Sequence, residues 1–150
     1  MKIRTLPILL FLVLALSAPL FGQTAAKVEA LLNKTELTWL EVTDFVLEAA
    51  EAGIFSNDQA AFNFAAGNNW LPKKAESMGT AQLQGVALLL MRSFNLKGGI
   101  FYSMTKSPHH AYRELVFKKV IRSAADPLTS VSGQDLLLMV GRLLAMRDAY

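Results

Sequence analysis

Apolar residues recur at spacings of three and four along most of the chain, which is the pattern of amphipathic helices. In the segment 38–54 this spacing places Leu40, Phe45, Val46 and Ala49 on one face. No stretch alternates apolar and polar residues between turn residues, as a half-buried strand would. The pattern predicts an all-α protein with about six helices after its N-terminal segment.

Local signals mark the ends of these helices. Thr38 with Glu41, and Ser132 with Asp135, have the spacing of a capping box at a helix start. Gly53 is expected to end the helix that begins after Thr38. The segment around the third helix is apolar nearly all round, which predicts a central position. The other predicted helices cover residues 57–69, 80–94 (the central one), 98–106, 107–121 and 132–148.

The first 25 residues have the layout of a secretory signal peptide. Lys2 and Arg4 form a basic start, the run 6–16 is apolar, and small residues follow it. The run is shorter than the about 20 residues that a transmembrane helix needs. We therefore expect cleavage after Gly22 or after Ala25, and export to the periplasm or the outside of the cell. A single envelope-associated domain is expected at 26–150. An uncleaved membrane anchor is the alternative.

Composition argues against several classes of function. The chain contains no Cys, so it has no disulfide, no thiolate nucleophile and no Cys-based zinc site. Without Lys2 and Arg4 there are 13 basic residues against 12 acidic ones, a net charge of +1 that gives no case for nucleic-acid binding. No nucleophile elbow or glycine-rich phosphate loop is present, so we predict neither catalysis nor a cofactor. The alternative is a small exported enzyme acting on cell-wall glycan, with Glu41 and Asp44 as candidate carboxylates.

Charge is distributed unevenly along the chain. Residues 23–58 carry 7 acidic and 2 basic side chains, whereas residues 59–125 carry 9 basic and 2 acidic ones. Two interpretations are open: the acidic first helix packs beside the basic region of the same molecule, which we favour, or the basic region is open to an anionic partner. The densest basic cluster, called the basic face below, consists of Lys106, Arg113, Lys118, Lys119 and Arg122.

The other candidate chemistry near the basic face has structural explanations. His109 and His110 follow Ser107 and Pro108, which suit the N-cap and the first turn of a helix. His110 shares a face with Glu114, but a zinc site needs at least three ligands, so we predict no metal site. The nearby aromatic side chains are predicted to be core residues rather than a sugar-binding platform. They are Phe101, Tyr102, Tyr112 and Phe117.

The chain also contains an internal similarity. Residues 61–94 align with residues 111–144 at an offset of 50 without a gap, and Glu76 meets Asp126 in this alignment. Each segment has the pattern of a helix, a polar loop and a more apolar helix, which predicts a structural repeat. The helix in 38–54 would then be the second helix of an earlier, partial unit.

The repeated segments resemble the S-layer homology module. In the segment 126–136, DPLTSVSGQDL, Pro127 matches the loop proline of that family and Val131 matches its apolar residue. Ser132 and Asp135 match the Thr and the Glu of the Thr-Arg-Ala-Glu motif that opens the second helix of each module. The resemblance implies a helical fold and a module that binds in the cell envelope.

The match to this family also has departures that bear on function. ELTWLEV at 36–42 keeps the Thr and the Glu, but Trp39 stands in place of the motif's Arg, and Gly133 does so in the other match. The middle segment, AQLQGV, has neither the Thr nor the Glu. The predicted partner is an anionic wall polymer or an envelope protein. Nucleic acid, a cofactor and a stable transmembrane anchor after cleavage are not expected.

Overall fold

The structure, a computed structural model, describes residues 19–122 and 125–149. Within these residues it contains seven α-helices and no strand, which confirms the predicted all-α class. Residues 1–18, which carry most of the predicted signal peptide, lie outside the described residues. In chain order the helices are α1 Pro19–Leu32, α2 Trp39–Ala49, α3 Asp58–Gly67, α4 Leu83–Ser93, α5 Ile100–Thr105, α6 Pro108–Phe117 and α7 Gly133–Asp148.

Helix α1 is an addition to the predicted helices. Its first turns coincide with the end of the predicted signal peptide, so both expected cleavage positions fall inside this helix. Leu31 is buried in the core, and the Lys27 ammonium lies 2.9 Å from a carboxylate oxygen of Asp44 and 2.9 Å from one of Glu48, both on α2. Helix α1 packs against α7, so the first and last helices of the described chain lie side by side.

Three buried residues are joined in a ring of backbone hydrogen bonds, called the backbone ring below. The Leu37 N–H donates to the Val131 carbonyl at 3.0 Å, the Val131 N–H donates to the Ala81 carbonyl at 3.0 Å, and the Ala81 N–H donates to the Leu37 carbonyl at 2.9 Å. Each residue directly precedes the N-cap of a helix. Helices α2, α4 and α7 therefore all begin at the backbone ring.

Each helix that starts at the backbone ring packs against a second helix. Helix α2 pairs with α3, α4 pairs with α6, and α7 pairs with α1. Helix α5 lies in the connection between α4 and α6 and packs on α6. Helices α2 and α3 follow each other along the chain, and only α5 separates α4 from α6. The third pair, α1 with α7, joins opposite ends of the described chain.

The two aligned segments make the same turn 50 residues apart. The Gly79 N–H donates to the Glu76 carbonyl, and the Thr129 N–H donates to the Asp126 carbonyl, both at 2.9 Å. The aligned segments do not coincide with the packed helix pairs, because 61–94 covers α3 and α4, which belong to different pairs. The repeat itself stays a prediction.

The predicted helix starts after Thr38 and Ser132 are confirmed. Thr38 Oγ1 accepts a hydrogen bond from the Glu41 N–H at 3.4 Å, and the Thr38 N–H donates to the Glu41 carboxylate at 2.9 Å, which completes a capping box. Ser132 Oγ accepts from the Asp135 N–H at 3.1 Å, while the Ser132 hydroxyl donates to the Asp135 carboxylate at 2.7 Å. Gln82, the N-cap of α4, makes no side-chain capping bond.

Helix α2 ends before Gly53, so the prediction that this glycine ends the helix is wrong. Glu51 adopts a left-handed conformation with φ 55°, and the Ala52 N–H donates to the Leu47 carbonyl at 3.0 Å. This Schellman motif satisfies the carbonyls of the last turn without a glycine. The same left-handed position follows α3, α4 and α6, at Asn69, Asn95 and Lys119.

Helix α4 lies at the centre of the core, as its apolar sequence predicts. Eight of its 11 residues are buried. On α2 the predicted apolar face is only partly correct, because Val46 is buried while the other three predicted residues are half-buried. The buried side of α2 includes Thr43, whose hydroxyl donates to the Trp39 carbonyl at 2.7 Å and is therefore satisfied within the core.

Two glycines allow close contacts between helices. A Cβ at Gly133 would lie 1.7 Å from the Leu31 carbonyl oxygen, so α1 packs directly on the first turn of α7. A Cβ at Gly85 would lie 2.8 Å from the Trp39 indole ring, which covers α4 at this point.

We predict that Gly133→Ala destabilises the protein by about 3 kcal/mol, because α1 must move away from α7 to admit a methyl group. Gly141→Ala is the matched control, since it lies on the same helix and a Cβ there would meet no atom within 4 Å. The control should gain about 0.5–1 kcal/mol from helix propensity. Urea unfolding of both variants measures these effects, and equal stabilities would contradict the described packing of α1 on α7.

Candidate functional site

The structure divides the predicted basic face between two depressions of the surface. Arg122 lines a groove formed by the start of α4, the loop before α7 and α7 itself. Arg113 lines a second recess together with Phe101 and Phe117. The residues of the basic face thus do not form one continuous site.

The groove at Arg122 contains a second arginine that the basic face did not include. Arg142 lines the same groove, and its Nη1 donates to the Val120 carbonyl at 2.6 Å. The Tyr112 hydroxyl donates to the Ala125 carbonyl at 2.6 Å, which fixes the loop on the other side. Asp135 also lines the groove, and its carboxylate accepts a hydrogen bond from the Ser132 hydroxyl. Since Arg142 already holds a backbone carbonyl, Arg122 is the more available cation of this groove.

The three lysines of the basic face lie at the ends of short helices. Lys106 follows α5 in a left-handed conformation, and its Nζ lies 4.7 Å from the centre of the Tyr102 ring in a cation–π contact. Lys118 and Lys119 follow α6, where Lys119 is exposed and left-handed with φ 58°. Their positions are set by the helix ends rather than by a common binding site.

The acidic helix α2 packs against α3 and α4, which belong to the basic region 59–125, but its carboxylates form no ion pairs with the basic face. Lys27 of α1 pairs with two carboxylates of α2, and Lys34 pairs with Glu41. Arg147 of α7 lies 3.7 Å from Glu51. Helix α1, the loop after it and α7 provide these cations, and the sequence pattern does not place them next to α2. Among the described residues, no acidic side chain forms an ion pair with the basic face.

The two histidines lie in the first turn of α6, as predicted. Ser107 Oγ accepts a hydrogen bond from the His110 N–H at 3.2 Å, and the His110 Nδ1 lies 2.9 Å from the same oxygen. Glu114 is engaged elsewhere, because its carboxylate accepts a hydrogen bond from the Gly99 N–H at 2.8 Å. No group of three or more His, Asp or Glu side chains that could hold a metal ion occurs within residues 19–122 and 125–149.

The prediction that the nearby aromatic side chains belong to the core is correct for only half of them. Tyr102 and Tyr112 are buried, whereas Phe101 and Phe117 are among the most exposed apolar side chains of the described protein. The Phe101 ring stacks on the His110 ring with centroids 5.9 Å apart. The apolar spacing of these short helices does not reveal which side faces the core.

No protein-family model, no curated protein and no solved structure matches this chain. Of the helices that the structure describes, none is long and apolar enough to cross a membrane. Function is therefore inferred from the side chains and charges described above.

The ion pair at the start of α2 predicts a specific pH dependence. Burial raises the pKa of Glu41, but hydrogen bonds from Lys34 and Thr38 outweigh it and leave this pKa below its ordinary value. A carboxyl group with a lowered pKa stabilises the fold above the pKa of the unfolded chain. That stability is lost as the pH falls through the folded-state pKa.

We predict that Glu41→Gln, which keeps the capping geometry but removes the charge, costs about 0.5 kcal/mol at pH 7. The difference from wild type should shrink toward zero as the pH falls below about 4. Glu29→Gln on α1 is the control, because its carboxylate has no partner among the described ion pairs. Urea unfolding at several pH values measures both, and a constant difference down to pH 3 would count against the charged contact.

Proposed function

We propose that this protein is a non-catalytic binding module of the cell envelope that contacts an anionic wall polymer through the Arg122 groove. The observation that carries the proposal is the separation of charge in the folded protein. The carboxylates at three positions of α2, and Glu51 after it, are paired with cations of the same molecule. Within the described residues, the basic face has no such partners, so its charge is available to an external anion.

The backbone ring supports the resemblance to S-layer homology modules. Leu37 and Val131 lie at the position before the N-cap of the motif helix in the two segments that match that family. Ala81 lies at the same position in the degenerate middle segment. The three motif helices thus begin side by side, although the middle one lacks the motif's Thr and Glu. A repeat built on one motif would place them in this way.

Because two of the matching segments lack the Arg of the family motif, the cation that contacts an anion is expected at another position. Trp39, in place of one Arg, covers Gly85, and Gly133, in place of another, contacts the carbonyl of Leu31. Neither position carries a charge. Arg122 follows α6 and lines the groove beside Val131, so it is the residue that we expect to contact an anion.

The alternative of a glycan-cleaving enzyme needs a carboxylic acid with a raised pKa in a cleft. Glu41 and Asp44, the candidates from the sequence, are both held by lysines. The pKa of Glu41 is lowered rather than raised, because the hydrogen bonds from Lys34 and Thr38 outweigh the effect of its burial. Glu41 is therefore suited to stabilising α2 and not to donating a proton, and Asp44 is held in an ion pair with Lys27.

We predict that Arg122→Glu combined with Lys119→Glu weakens binding to isolated cell wall by on the order of tenfold at low salt. The wild-type affinity should itself fall as salt shortens the screening length from about 10 Å at 0.1 M to about 3 Å at 1 M. Cosedimentation with cell wall measures both effects. Lys73→Glu with Lys74→Glu is the matched control, because it reverses two exposed charges elsewhere on the protein.

A second control replaces His109 and His110 by Gln and should leave the affinity unchanged. Loss of binding in this variant, or its recovery with added zinc, would indicate a metal site and contradict the proposal. Equal losses from both charge-reversal pairs would show that only the net charge matters. If a binding partner is recovered from envelope extract but not from isolated wall, the partner is an acidic envelope protein rather than a wall polymer.

A further inference from the structure

A group of large apolar side chains projects from α5 and the end of α6. Ile100, Phe101, Met104 and Phe117 have exposed fractions of 76%, 70%, 79% and 83%. Helix α5 is held to the core by Tyr102, which is 1% exposed. The three exposed residues of α5 therefore sit on a fixed helix rather than on a loose loop. Together with Phe117, the last residue of α6, they are called the apolar patch below.

The apolar patch is continuous. Ile100, Phe101 and Met104 occupy neighbouring positions on one side of α5, since residues one and four apart lie within about 100° of each other around a helix. Phe101 and Phe117 line the same recess. Four such side chains expose on the order of 500 Å² of apolar surface, which reaches the size of patches that are often functional in monomeric proteins.

The surroundings of the apolar patch are basic. Lys97 precedes α5, Lys106 follows it, and Arg113 lines the recess between the two phenylalanines. Glu114 is the one acidic residue in the sequence between positions 77 and 125. It lines the same recess, and its carboxylate accepts a hydrogen bond from the Gly99 N–H. The patch therefore combines exposed aromatic and aliphatic side chains with a rim of three basic residues and one acidic residue, which leaves a net positive charge.

We propose that the apolar patch docks on the surface of an anionic lipid bilayer, with its apolar side chains inserted among the headgroups. This combination of apolar residues with flanking lysine and arginine is what binds proteins to the interface of such membranes. A second copy of the chain fits less well. The patch is smaller than the about 800 Å² that each partner buries in a stable dimer, and two identical basic rims would repel each other.

The absence of Cys from the chain allows site-specific labels to test this proposal in the full chain. Phe101→Cys and Phe117→Cys would each carry an environment-sensitive fluorophore, and Ile54→Cys provides a fully exposed apolar control in the loop after α2. Vesicles of phosphatidylglycerol and phosphatidylcholine in equal parts should increase the fluorescence of both patch labels about twofold and shift it to the blue. The label at Ile54 should not respond.

The response should depend on charge as well as on apolar contact. Lys106→Gln with Arg113→Gln should weaken the apparent vesicle affinity about tenfold, and Lys73→Gln with Lys74→Gln should change it little. Vesicles of phosphatidylcholine alone should bind weakly. The proposal is overturned if no label responds, or if the label at Ile54 responds as strongly as those of the patch. It is also overturned if the patch labels respond to protein concentration without vesicles, which would indicate a second copy.

Discussion

The backbone ring of Leu37, Ala81 and Val131 is the constraint on which the rest of the fold depends. Its residues are buried, so each N–H and carbonyl must find a partner inside the protein. A single unsatisfied group would cost about 1–3 kcal/mol. Because each residue donates to one neighbour and accepts from the other, no two of the segments satisfy all their groups without the third. The ring thereby fixes the starting points of three helices at once.

The surface features follow from this arrangement. Val131 of the ring lines the groove at Arg122, so the position of this cation is set directly beside the ring. Helix α5 lies in the connection between the paired helices α4 and α6 and packs on α6. Tyr102 anchors it there, and its apolar residues remain exposed. The ion pairs of α2 with Lys27, Lys34 and Arg147 use its acidic residues within the molecule, and among the described residues the basic face forms no ion pair. One packing scheme thus separates the charges and exposes the apolar patch.

The features that the sequence predicts well are local ones. The capping bonds of Thr38 and Ser132 depend on residues three positions apart, and the central place of α4 depends on its composition. Contacts between distant segments were not predictable in this way. Helix α1 is held by Leu31 against Gly133 and by ion pairs across the sequence, so its place cannot be read from its own residues. The end of α2 is set by a left-handed glutamate, which no turn signal marks.

Native-state hydrogen exchange at the amides of the backbone ring is the most direct test of this account. If the ring closes only as a whole, the amides of Leu37, Ala81 and Val131 should open with the same free energy, within about 1 kcal/mol of the slowest amides of α4. Such amides report the global unfolding of the protein. Fast exchange at one of the three amides, while the other two remain protected, would show that the segments open independently and would contradict the account.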